Sequence, residues 1–184
     1  MDMRSEFIVQ WYKRSKECAD EFERFIFLYI CFIVMIKGWS ANNSNVQSIN
    51  SDSDDGVFVD KYFSSKENLD SIISICESAE NFKILVKRKG DQNYHIVYSN
   101  NPIDQVLFKD LYLHYNANSI ITVKNKSIAI GKILKVIRNN LFHGGKLYNS
   151  SRDIEILEIA TPILEKLLIH GAQKELHVNF ELIE

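Results

Sequence analysis

A chain of 184 residues with a formal net charge of −2 is long enough for one domain that buries about 70% of its unfolded surface and needs no covalent staple. Apolar residues at 46% and aromatics at 11% exclude a disordered chain, and seven Gly and two Pro favour helices over turn-rich sheets. Cys18, Cys31 and Cys76 are odd in number and lack any C-x-x-C pairing, which excludes a disulfide framework and a clustered zinc site; they read as reduced core thiols in a cytoplasmic protein that holds no metal or cofactor.

Residues 5–39 predict one long helix or two abutting ones, with Ser5 as the starting cap and Gly38 at the end. Within it, Phe25 to Ile36 is an unbroken apolar run of twelve residues. That falls short of the roughly 20 needed to cross a bilayer, and it starts too late to be a signal peptide. A helix apolar on all sides is buried in its own domain or between subunits. Residues 41–56 are almost wholly Ala, Asn, Ser and Asp, a polar linker unable to bury enough surface to order itself. A second helical pattern covers residues 57–79, with Leu69, Ile72, Ile73 and Cys76 on one side. The runs 82–88 and 94–99 flank a Gly-containing loop, so they form a small hairpin unless the first extends the preceding helix. Asn101-Pro102 breaks the chain, and 104–116 predicts a short helix.

The segment 128–146 is IAIGKILKVIRNNLFHGGK. Ile130, Leu134, Ile137 and Leu141 fall within about 60° of one another on a helix, a narrow stripe for a core. Arg138 borders that stripe at about 60° from its centre, while Asn139 and His143, four apart, share a face directed away from it. Ala129 and Val136 lie on that outward side and suggest a second apolar face that meets another molecule. Gly144-Gly145 supply the stop. From Leu111 to Arg152 there is no Asp or Glu, yet this block of 42 residues carries seven Lys and Arg. Such a block fits a phosphate-bearing ligand or, more plainly, a solvated lysine-rich helix face. Ser150 or Ser151 then caps a helix to about His170, interrupted at Pro162 and ended by Gly171. The tail 172–184 alternates Leu176, Val178, Phe180 and Leu182 with polar residues, a strand pattern.

Arg138-Asn139, a gap of three, then His143 before Gly-Gly at a helix end resembles the signature of the HEPN superfamily. The aromatic-rich early helix FERFIFLYICFIVMI also suits it. The resemblance covers about residues 128–170, more loosely 20–40, and implies an up-and-down helical bundle, mainly α, in a single domain 1–184. It further implies a metal-independent endoribonuclease acting as a homodimer, in a toxin or defence role, with RNA as substrate and a neutralising antitoxin among its partners. In that reading Arg138 binds the scissile phosphate, His143 is the acid/base, and Asn139 orients it. Lys132, Lys135 and Lys146 hold the RNA backbone. No further acidic site residue is identifiable; Glu23 is the nearest guess. The alternatives are a non-catalytic nucleic-acid- or nucleotide-binding module and a structural dimerisation protein.

Overall fold

The computed structural model describes residues 2–43, 54–78, 82–85, 97, 99, 101–117, 120–142 and 151–180. Among these the chain is mainly α, a helical bundle without strands. Its helices are α1 (Met3–Lys16), α2 (Glu21–Asn42), α3 (Asp55–Ser64), α4 (Leu69–Glu77), α5 (Phe82–Leu85), α6 (Pro102–Ala117), α7 (Val123–Phe142) and α8 (Ser151–Leu176). They group into two compact units, residues 1–62 with 161–184, and residues 63–160.

In the first unit α1 and α2 form a helical hairpin. Asp2 caps α1 by accepting from the Ser5 N–H at 2.7 Å, and Asp20 caps α2 by accepting from Glu23 N–H at 2.9 Å. Ser5 therefore lies inside α1, because a carboxylate three residues upstream takes the capping role. Phe7 stacks on Trp11 within α1 at 5.1 Å, and Trp11 meets Phe27 of α2 edge-on at 5.3 Å. The apolar run of α2 is core: Phe25, Leu28, Cys31, Phe32, Met35 and Ile36 are fully buried. At 22 residues α2 is long and apolar enough to cross a membrane by length and composition, contrary to the twelve-residue reading. Yet 61% of its most apolar window is buried inside the protein, as in a core helix.

Two glycines expected to end helices sit inside them instead. Gly38 lies in α2, where an added Cβ would meet the Leu176 side chain at 3.1 Å, and Gly171 lies in α8 against Met35 and Tyr62. Both serve close packing, a use indistinguishable in sequence from a stop. The chain stays helical on either side of Pro162 and continues to Leu176. His177 then takes a left-handed conformation (φ 53°), and Val178 N–H donates back to Ala172 C=O at 3.2 Å. Val178 and Phe180 become buried, Phe180 edge-on to Tyr12 at 4.7 Å. The tail's apolar alternation is thus real, but this cap delivers it to the core without a strand. Residues 181–184 lie outside the described set.

A charged cluster ties α1, α2 and α8 together. Glu165 accepts from Tyr12 Oη at 2.8 Å and Arg24 Nη2 at 2.7 Å and lies 2.6 Å from Lys16 Nζ. Burial alone would raise its pKa, but the Lys16 and Tyr12 hydrogen bonds and the charges of Lys16 and Arg24 outweigh it, leaving the carboxyl below 4.5.

In the second unit Asn101 accepts from Ile103 N–H at 2.9 Å and Pro102 occupies the first position of α6. Thr122 Oγ1 accepts from Asn125 N–H at 3.3 Å to start α7. α7 packs on α4 and α6. Phe82–Leu85 is a helical turn, which overturns a strand there; residues 86–96 of the expected hairpin lie outside the described set, as do residues 44–53 of the linker. Cys31 and Cys76 are buried and Cys18 is half-buried; burial pushes the Cys31 thiol up to about 12.

Two predictions follow from packing and charge. An Ala Cβ at Gly131 would lie 2.6 Å from the Phe63 ring, whereas at Gly171 it would meet the flexible end of Met35 at 2.6 Å. Gly131→Ala should therefore lower stability by about 1–3 kcal/mol, and Gly171→Ala should cost much less because the thioether can move and Ala favours helix; denaturant melts decide. Glu165→Gln should cost about 2 kcal/mol near neutral pH. The folded pKa is depressed, so this contribution is present above about 4.5 and disappears as pH falls through the lower folded value. Melts of the two proteins should therefore converge in acid.

Candidate functional site

Nine residues of α7 are buried: Lys126, Ser127, Ala129, Ile130, Gly131, Ile133, Leu134, Val136 and Ile137. The predicted stripe of Ile130, Leu134 and Ile137 is core, at 0, 1 and 3% exposure, and Leu141 is half-buried. Ala129 and Val136 are buried too, so the outward apolar face expected of them is consumed within the chain. The buried arc spans roughly 220° of the helix. What remains is an arc of about 140° carrying Lys124, Ile128, Lys132, Lys135, Asn139 and Phe142, with Arg138 at its edge; along it Lys135, Arg138, Asn139 and Phe142 follow one another at i, i+3, i+4 and i+7.

Arg138 is half-buried and held from its own turn of helix. Nη1 donates to Asn139 Oδ1 at 3.0 Å, and the guanidinium carbon sits 4.6 Å from the centre of the Phe142 ring. Both contacts orient the planar fork. The family resemblance pairs Asn139 with His143; in the fold the Asn139 side-chain oxygen accepts from Arg138. His143 and Lys146 lie outside the described residues. Glu23 is exposed in the first turn of α2, in the other compact unit.

The lysines of the basic block divide. Lys135 is half-buried on the Arg138 stripe. Lys132 lies 3.9 Å from Asp104 Oδ1, its side chain 19% exposed. Lys126 is 9% exposed and paired with Glu77 at 2.6 Å, its ammonium 6.0 Å from the Tyr115 ring. Asp104 is itself tethered, accepting from Ser99 Oγ at 3.1 Å. Acids absent from the block in sequence are thus delivered to it by α4 and α6.

Below the end of α7, Asn140 and Asp153 border a cleft with room for about 10 Å³, close to a single water. Among the described residues no three His, Cys, Asp or Glu side chains gather as metal ligands would. The residue that sequence reasoning missed is Phe142. It is 54% exposed and lies about 110° from the core stripe by the arithmetic that placed Arg138, which could have flagged it. Compared with family models, curated proteins and solved structures, the chain matches none.

Proposed function

We propose that the chain is a HEPN-type endoribonuclease that cleaves RNA without metal. The observation that carries this reading is Arg138, pinned by Asn139 and Phe142 on the one open stripe of α7, at the helix end that leads in sequence to His143. In the reaction the RNA 2′-oxygen attacks the neighbouring phosphorus, the bond from phosphorus to the 5′-oxygen breaks, and a 2′,3′-cyclic phosphate forms. One imidazole accepts the 2′-hydroxyl proton and another donates a proton to the departing 5′-oxygen. Arg138 offsets charge on the non-bridging oxygens, because its fork matches phosphate and stays protonated. Asn139 is a positioning residue for Arg138 and His143.

Each chain supplies one such Arg and one such His, so acid and base together call for a second copy, and the active species in this reading is a homodimer. Its contact must use surfaces other than Ala129 and Val136, which are buried within the chain, whereas Ile26, Phe27, Ile30 and Val34 of α2 are only half-buried. The same reading includes a cytoplasmic location. An activity of that kind harms its own cell, so a toxin or defence role and a neutralising protein partner belong to the same proposal.

Pure protein incubated with single-stranded RNA should cut it equally with and without EDTA, leaving cyclic or 3′-phosphate ends. DNA of the same sequence should survive because it lacks the nucleophile. His143→Ala and Arg138→Ala should each lower the rate at least about 100-fold with melting temperatures nearly unchanged, and Asn139→Ala should cost less. Lys135→Ala should weaken RNA binding, whereas Lys126→Met, at a buried and paired position, should not. Cleavage only with added magnesium, or a fully active His143→Ala, refutes the mechanism. An inert wild type that still binds RNA points to the binding-module reading.

A further inference from the structure

We infer that Phe142 is a stacking surface for an unpaired RNA base, and that with Arg138 it makes the site selective for single-stranded over double-stranded RNA. This rests on the reading of the site as one that acts on RNA.

The large apolar side chains exposed among the described residues are Met3, Val57, Ile103, Val106, Ile120, Val123, Phe142 and Ile154, and Phe142 is the aromatic one. The ring is not a core residue displaced by crowding: the core stripe of α7 is complete without it, and it lies on the stripe with Lys135, Arg138 and Asn139. The guanidinium stands 4.6 Å from the ring centre, and with that neighbour in place the residue is still 54% exposed. An aromatic carrying a fixed cation on one side offers its remaining surface to the π-face of a base while the cation lies within reach of the adjoining phosphate.

Charge favours the same occupant. No acid occurs in sequence from Leu111 to Arg152. The nearest acid along the chain, Asp153, is buried by the cleft with Asn140, roughly 160° around α7 from Phe142. A base held within a duplex stacks on its own neighbours and cannot cover the ring, whereas an unpaired base can. Stacking also fits the proposed chemistry, since a nucleotide pinned by its base brings its own 2′-oxygen and 3′-phosphate to Arg138.

The test uses the whole protein and 2′-O-methyl oligoribonucleotides, which keep bases and phosphates but lack the attacking hydroxyl. Affinities for a single strand and for a blunt duplex of the same sequence are read by fluorescence anisotropy for wild type, Phe142→Leu and Phe142→Trp. Phe142→Leu should weaken single-strand binding about 5- to 100-fold and leave duplex binding within about twofold, a pattern that loss of Arg138 positioning alone would not give. Phe142→Trp should restore binding, with an indole signal quenched by the single strand. Equal weakening on both ligands, or no change in Phe142→Leu, overturns the inference while the ribonuclease reading stands. A shift in sedimentation of Phe142→Leu with unchanged affinity overturns it by assigning the ring to a contact between copies. A wild type that neither binds nor cuts RNA removes both.

Discussion

Everything distinctive about the candidate site follows from how much of α7 must be hidden. A helix that buries Lys126 through Ile137 on more than half its circumference can present only one narrow stripe to its surroundings. A single amphipathic stripe would have left a broad polar face and a choice of orientations. Here Ala129 and Val136 close one flank, and Gly131 lets the Phe63 ring close the other. Lys135, Arg138, Asn139 and Phe142 are among what is left over, at the helix's C-terminal end. Burial of the rest, not any attraction among these four, brings them together.

Electrostatics is organised by the same packing. A segment of 42 residues without an acid suggests a broad cationic surface. In the fold, α4 sends Glu77 to Lys126 and α6 sends Asp104 towards Lys132. Their side chains are 9% and 19% exposed, and an unpaired charge at such a depth would be costly. The cationic surface is therefore smaller than the charge count implies.

Helix identity was legible in the sequence wherever periodicity was strong: 104–116 and the stripe from Ile130 to Ile137 became helix, and the pattern over 57–79 became two helices, α3 and α4, parted at residues 65–68. So was the burial of most of Phe25 to Ile36, although Ile26, Phe27, Ile30 and Val34 stay half-buried. The failures share a cause. Gly38 and Gly171 read as stops since nothing local separates a glycine that ends a helix from one that admits Leu176 or Met35. Alternation in the tail read as a strand because the left-handed turn at His177 that buries Val178 and Phe180 leaves no local mark. At the site, Arg138, Asn139 and His143 came from a resemblance in spacing, and the structure describes the first two. Phe142 was overlooked because an apolar residue next to a core stripe is ordinarily counted into it.

The notch at Gly131 fixes more than proximity. The Phe63 ring occupies the space a side chain would take, so α7 is keyed like a shaft: turning or sliding it would drive the rim of the notch into an aromatic ring. Gly131 and Arg138 are seven residues apart, about 10 Å along the axis, and a helix is stiff over that distance. The bearing of the stripe is thus set two turns away from the residues that would use it. Drift in the aim of Arg138 during evolution, or a deliberate re-aiming by design, has its lever at the pair Gly131 and Phe63, where a change of shape rotates the stripe without altering a single atom of its chemistry.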